Sequence, residues 1–389
     1  EQDVAQGGLD LLYVAPERAV SPQFMDLMDR SPVALFAIDE AHCVSQWGHD
    51  FRPEYTQLTA LTNRFPHVPK LALTATADGP TRSDILQQLN MADANVSVSG
   101  FDRPNITYSV IPKDRAQQQL LKFLESHQGE SGIVYRTSRK KVDQTAESLV
   151  KNGIQALPYH AGLDKMVRNR NQQRFMNEDG IVMVATVAFG MGVDKPDVRF
   201  VAHVDPPKTL EAYHQETGRA GRDGLPAEAW MLYSLGDVGR LRHMIGPIAQ
   251  TGQENQDQFD FSAQAVQHRR IQHRKLDSLL GFCETATCRR QALLAYFGEE
   301  IEACGNCDNC LTPPEVWDAT IPVQKALSCI FRTDQRFGAK HLIDVLLGKE
   351  TDMIRKWRHT TVSTYGIGQE LKAKEWQSVY RQLAAQGLV

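Results

Sequence analysis

Short aliphatic runs alternate with helix-length amphipathic stretches over the first two-thirds of the chain. Residues 9–14 (LDLLYV), 33–38 (VALFAI) and 70–73 (KLAL) read as buried strands, with helical spacing at 22–30 and 55–63 between them. The alternation resumes with strands at 132–135, 155–159, 181–185 and 200–203, and helices at 140–152 and 168–177. Continuous apolar runs suit strands buried on both faces, so the alternation predicts parallel sheets covered by helices. Residues 101–105 (FDRPN) divide the pattern into two such units. Past Leu235 its character changes. Residues 249–260 are rich in Gln, Asn and Asp and read as a solvated linker, followed by two basic helical segments and a cysteine cluster. From Pro322 the helical patterns (323–332, 339–347 and 375–386) are short, with glycine-containing joins, and read as a small helical domain such as a winged helix. No repeat is evident.

A chain of 389 residues is long for one core and predicts two to four domains. Its apolar share of 42% is ordinary for a globular protein. The longest apolar stretch, 181–189, is interrupted only by Thr186 and falls far short of the roughly 20 residues a bilayer span needs. No basic segment followed by an apolar one opens the sequence, so a cytoplasmic protein is expected. The net charge of −4 alone argues against a nucleic-acid partner, but binding depends on local patches. Seven cysteines, four of them at 288, 304, 307 and 310, suit a reducing compartment and a metal better than a disulfide frame.

Asp39-Glu40-Ala41-His42 directly follows a buried run, and the carboxyl ends of parallel strands are where open sheets bind ligands. There one acid can hold Mg²⁺ while its neighbour orients a water against a γ-phosphate; a solvated turn is the plainer reading. Thr74-Ala75-Thr76-Ala77 follows the next run, where hydroxyls can link a nucleotide site to a moving neighbour or simply cap the next helix. Residues 215–224 (QETGRAGRDG) place Arg219 and Arg222 three apart among glycines, a fork suited to phosphate oxygens. Four cysteines at these spacings suit a closed structural zinc site, with an iron–sulfur cluster as the rival and Cys283 as an alternative fourth ligand. His268, Arg269, Arg270, Arg274, Lys275, Arg289 and Arg290 surround that cluster, either as a solvated basic face or as a duplex-binding one.

D-E-A-H (39–42), T-A-T (74–76) and Q-E-T-G-R-A-G-R (215–222), in this order, resemble motifs II, III and VI of superfamily 2 helicases. Residues 43–55 (CVSQWGHDFRPEY) resemble the aromatic-rich loop of the RecQ family, and FDRPN (101–105), YHAGL (159–163) and AFGMGVDKP (188–196) also match it. The resemblance covers essentially the whole chain. It implies an α/β protein with two RecA-like parallel-sheet lobes, the first incomplete (1–100 and 101–240), a helical zinc-binding subdomain (241–315) and a partial winged helix (316–389) whose β-wing begins near Leu388.

The same resemblance implies roles. Asp39 holds Mg²⁺, Glu40 activates water, and His42 and Gln215 couple the lobes through ATP. Arg222 is the arginine finger, Arg219 a second phosphate contact, and Asp194 lies near the ribose. Gln46, Trp47, His49, Phe51 and Arg52 couple single-strand binding to hydrolysis, a task aromatic stacking and arginine serve without sequence preference. Zn²⁺ on Cys288, Cys304, Cys307 and Cys310 is favoured. The implied protein is an ATP-dependent 3′→5′ DNA helicase of recombination and repair, with single-stranded and junction DNA as partners and a single-strand-binding protein as a candidate; oligomeric state is not indicated. No G-x-x-x-x-G-K-[ST] occurs, so the phosphate loop is expected upstream of Glu1. Two rival readings are a catalytically inactive, zinc-stapled DNA-binding fragment and a translocase that moves on duplex without unwinding. Trp47 and its loop argue against the second.

Overall fold

A computed structural model describes residues 4, 6, 8–45, 48, 52–190, 193–246, 262–386 and 388–389. In the first lobe, β1 (Phe36–Ile38) and β2 (Lys70–Ala72) pair in parallel, Phe36 opposite Lys70. Helices Pro22–Met28, Thr59–Arg64 and Gly79–Gln88 supply Phe24, Met25, Leu61 and Ile85 to the core beneath them. Residues 9–14, expected as a buried strand, join neither sheet, and Leu11 and Tyr13 are 67% and 89% exposed. No strand among the described residues pairs with them, and an apolar run forms a strand only when it bonds to a neighbouring ladder.

The second lobe is built on one larger sheet. Its six strands are β3 (Ile106–Pro112), β4 (Gly132–Tyr135), β5 (Ala156–Tyr159), β6 (Val182–Ala185), β7 (Phe200–His203) and β8 (Ala227–Tyr233), all parallel, in the order β3-β8-β7-β4-β6-β5. Both faces are buried. Ile133 and Tyr135 join one core with Met183, Val201 and Met231, while Val134 joins the other with Val182, Ala202 and Leu232. This two-sided burial is why β4, β6 and β7 read as unbroken apolar runs. The two longest strands, β3 and β8, were not among the strands read from the sequence. They pair along seven residues each, Ile106 opposite Ala227.

Beyond this sheet the chain is helical. Ala263–Glu284, 22 residues long and capped by Ser262, packs on helix Leu210–Thr217. Short helices Arg289–Tyr296 and Asp308–Leu311 carry the cysteine cluster. The last domain packs helices Thr320–Arg332, Ala339–Leu346 and Ala373–Ala385 around the fully buried Trp376. Arg381 ties it to the long helix through Glu284, at 2.8 Å. The expected class holds: two parallel α/β lobes, a helical metal-binding module and a small winged-helix-type domain. The expected linker at 249–260 lies outside the described residues.

The basic groups around the cysteines are mostly not a surface. Arg269, Lys275, Arg289 and Arg290 are each under 8% exposed, leaving Arg270 and Arg274 exposed on the long helix. Burial of three of them follows from their partners. Lys275 pairs with Glu211, Arg289 with Asp308 at 2.6 Å, and Arg290 donates to the carbonyls of Pro104 and Ile106.

Candidate nucleotide cleft and metal centre

Parallel pairing of β1 with β2 sets the first half of the site. Because Ile38 stands opposite Ala72, the residues after each strand emerge side by side, and Ala41 N–H donates to Leu73 O at 2.8 Å. His42, 2% exposed, thus reaches Thr74: its Nδ1 lies 3.0 Å from Thr74 Oγ1 and 3.3 Å from Glu40 Oε2. Thr74 is therefore a partner of the D-E-A-H segment. The cap of the next helix is Asp78, whose carboxylate accepts from Thr81 N–H. Glu40 itself is held at φ 50°, a left-handed conformation that costs a non-glycine residue about 1–3 kcal/mol. Such strain persists only where surrounding contacts enforce it.

The second lobe supplies the other half. Helix Leu210–Thr217, capped by Thr209, projects Gln215 so that its Nε2 lies 3.5 Å from Glu40 Oε1 across the gap between lobes. In the turn that follows, Arg219 Nη1 donates to Gly190 O, leaving its Nε buried without a hydrogen-bond partner among the described residues. A Cβ on Gly190 would stand 2.8 Å from Arg219 Nη2, so a side chain there would push the guanidinium aside. Arg222 Nη1 donates to Val193 O at 3.1 Å and pairs with Asp194. Glu40, Thr74, Thr76, Asp194, Gln215, Arg219 and Arg222 all line one cleft of about 1230 Å³ between the lobes.

Asp39 lies outside that lining, exposed at the end of β1, with its Oδ1 accepting from Glu40 N–H at 2.8 Å. His42 is buried behind the cleft. Arg52 is half-buried, and its N–H donates to Cys43 O at 2.9 Å. Gln46, Trp47, His49 and Phe51 lie outside the described residues. Among the lining residues with no role assigned from sequence are Arg103 and His214. Their signal was present: a cation inside the interlobe linker, and a histidine one residue before Gln215.

The metal centre is built from loops around one helix start. Cys288 caps helix Arg289–Tyr296, and the sulfurs of Cys288, Cys304, Cys307 and Cys310 all lie within 4.8 Å of one another. Four thiolates around one zinc, at about 2.3 Å each, stand roughly 3.8 Å apart, which suits this set. Cys283 is excluded. It is buried in the core, outside the cluster, and burial pushes its thiol well above the usual range. Backbone N–H groups reinforce the thiolates: Cys304 and Gln291 donate to the Cys288 sulfur at 3.3 and 3.4 Å, and Arg289 donates to Cys307 at 3.3 Å. Burial opposes ionisation of Cys288, but the bonds from Cys304 and Gln291 outweigh it and bring the thiol down to about 7. The four cysteines hold a structural zinc and present no open coordination position.

The DEAD/DEAH box helicase model matches residues 1–85, the helicase conserved C-terminal domain 115–224, the RecQ zinc-binding domain 235–311 and the RQC domain 313–389. The chain is 46% identical to ATP-dependent DNA helicase RecQ of Haemophilus influenzae, over 100% of this chain and 61% of that protein. It is 45% identical to the protein of the same name from Pasteurella multocida, over 100% and 59%, and 39% identical to that from Bacillus subtilis, over 93% and 59%. The chain thus spans about 60% of the length of these curated relatives. Four matches in this order, on a cleft carrying the helicase motifs and beside a four-cysteine centre, place the chain in the RecQ helicase family.

Proposed function

We propose that this chain is the motor and DNA-engaging part of an ATP-dependent DNA helicase that unwinds 3′→5′ in recombination and repair. The observation that carries the reading is the approach of Gln215 Nε2 to Glu40 Oε1, which joins the two lobes over one cleft. Glu40 takes up a proton from the water that attacks the γ-phosphate, and Gln215 and His42 hold its carboxylate in place. Asp39 binds Mg²⁺, which neutralises phosphate charge when bound. Arg222 leaves Asp194 for the phosphate, where a guanidinium stabilises charge as the bond to the leaving oxygen breaks. Arg219, which lines the same cleft, makes the second phosphate contact.

Closing the lobes on nucleotide and opening them after hydrolysis moves the protein along one strand. The segment of Gln46, Trp47, His49, Phe51 and Arg52 reports that strand to the site, since stacking accepts every base. The 389 residues contain no G-x-x-x-x-G-K-[ST], so on their own they bind DNA without hydrolysing ATP. In a form of the protein with a phosphate-binding loop ahead of residue 1, Arg222→Ala keeps ATP binding and loses roughly three decades of turnover. Trp47→Ala keeps basal hydrolysis and loses its stimulation by single-stranded DNA. Equal loss of both rates in Trp47→Ala would make that residue a packing residue, and full turnover in Arg222→Ala would remove it from the phosphate site.

A further inference from the structure

Helix Leu210–Thr217 and the arginine turn after it belong to the second lobe, yet they are gripped from the zinc module and the interlobe linker. At the helix start, Glu211 is 2% exposed and pairs with Lys275 of the long helix. Tyr296 Oη donates to the same carboxylate at 2.8 Å, from the short helix that Cys288 caps. At its middle, the His214 ring packs 4.9 Å from that of Phe297, and its Nε2 lies 3.1 Å from Phe101 O. At its end, one guanidinium does the work. Arg103 donates to the carbonyls of Gly218, Ala220 and Gly221, each at 3.0 Å.

Those three carbonyls lie where a helix runs out of its own donors and where its dipole favours a cation. They also bracket Arg219 and precede Arg222, so Arg103 fixes the backbone from which both phosphate-facing arginines project. Arg103 is in turn fixed by its neighbours. Arg290, two residues from a zinc ligand, donates to Pro104 O at 3.1 Å and Ile106 O at 2.6 Å. Phe101 stacks on Phe297 at 4.7 Å, and its N–H donates to Glu299 at 2.7 Å. A continuous run of contacts leads from the cysteine centre through Arg290 and the linker to Arg103 and the arginine turn.

We propose that Arg103 is a positioning residue for Arg219 and Arg222, and that the zinc module sets its position, so that zinc supports nucleotide turnover as well as its own module. This rests on Arg222 acting at the phosphate. Misplacing a reacting group by about 1 Å can cost 10²-fold in rate, so the expected effects are large although Arg103 does no chemistry.

Hydrogen–deuterium exchange on the 389-residue chain gives a readout that needs no turnover. Arg103→Gln should speed exchange across 218–224 about tenfold while β4 and β6 stay protected, and stripping zinc with a chelator should do the same. In the form that carries a phosphate-binding loop, Arg103→Gln should lower kcat about 10–100-fold, with KM for ATP within about twofold and zinc still at one per chain. Tyr296→Phe, which removes one hydroxyl, should shift kcat in the same direction and carries the test if Arg103→Gln does not fold. Unchanged exchange at 218–224 after zinc removal, or unchanged kcat in both variants while Arg222→Ala abolishes turnover, overturns the inference. Full turnover in Arg222→Ala overturns the underlying assignment instead.

Discussion

At the scale of single residues, Lys275 and Glu211 form an ion pair inside the fold, at 6% and 2% side-chain exposure, and the buried Arg289 pairs with Asp308. D-E-A-H and the arginine pair were legible because their order and glycine spacing restrict what they can be. The basic groups near the cysteines were not legible. Lys275, Arg289 and Arg290 look like a solvated or DNA-facing stripe until Glu211, Asp308 and the linker carbonyls appear opposite them. Those partners lie 64, 19 and 186 residues away in sequence, beyond any local pattern.

Asp205 is a comparable case. It follows β7, is 3% exposed, and accepts from Lys113 at 3.0 Å and Lys141 at 3.1 Å. Burial pushes its carboxyl up, but Arg136 and Lys113 outweigh that and hold it far below the usual aspartate range. Its contribution to stability is therefore complete above the unfolded value of about 3.9 and is lost as pH falls below it. Urea unfolding of wild type and Asp205→Asn should show a gap that is constant from pH 7 to 5 and narrows toward pH 3. A gap that widens on acidification would contradict the assigned sign.

At the scale of elements, the expected strands at 132–135, 155–159, 181–185 and 200–203 match β4 to β7, whereas β3 and β8 had no counterpart among the expected strands. Of these, β4 and β7 lie in the middle of the sheet. β3 lies at the edge, and its alternating burial over Ile106–Val110 breaks the apolar run that a buried parallel strand shows. β8 begins at Ala227 and Glu228, straight after the arginine motif, and reads locally as the end of a loop. Residues 9–14 erred the other way, because periodicity reports apolarity and not whether a ladder is present.

The helical elements rest on two anchors that can be tested separately. Cys307→Ser should lose the bound zinc, seen by elemental analysis, and with it soluble expression, because metal binding supplies folding free energy to such modules. Stoichiometric iron with visible absorbance would contradict the assignment. Trp376, fully buried with Nε1 bonded to Gly368 O at 2.7 Å, anchors the last domain. Trp376→Ala should cost about 3–5 kcal/mol in that domain's unfolding while leaving zinc content unchanged.

At the scale of the whole molecule, one gap between lobes collects residues from D-E-A-H to the arginine turn, and the linker that spans it also touches the zinc module. That architecture divides labour. Under the proposed function the cleft is assigned to nucleotide and the outer domains, with the exposed Arg270 and Arg274, to DNA, and the linker touches both. DNA binding by the 389 residues should weaken steeply with salt, since each phosphate contact releases counterions. The most direct measurement of the whole account is DNA-stimulated phosphate release by the protein bearing a phosphate-binding loop ahead of residue 1, beside its Glu40→Gln variant and the 389 residues alone. The account predicts hydrolysis that rises with single-stranded DNA, vanishes in Glu40→Gln, and is absent from the 389 residues although they still bind DNA. Robust hydrolysis by the 389 residues alone, or hydrolysis that survives Glu40→Gln, would contradict it.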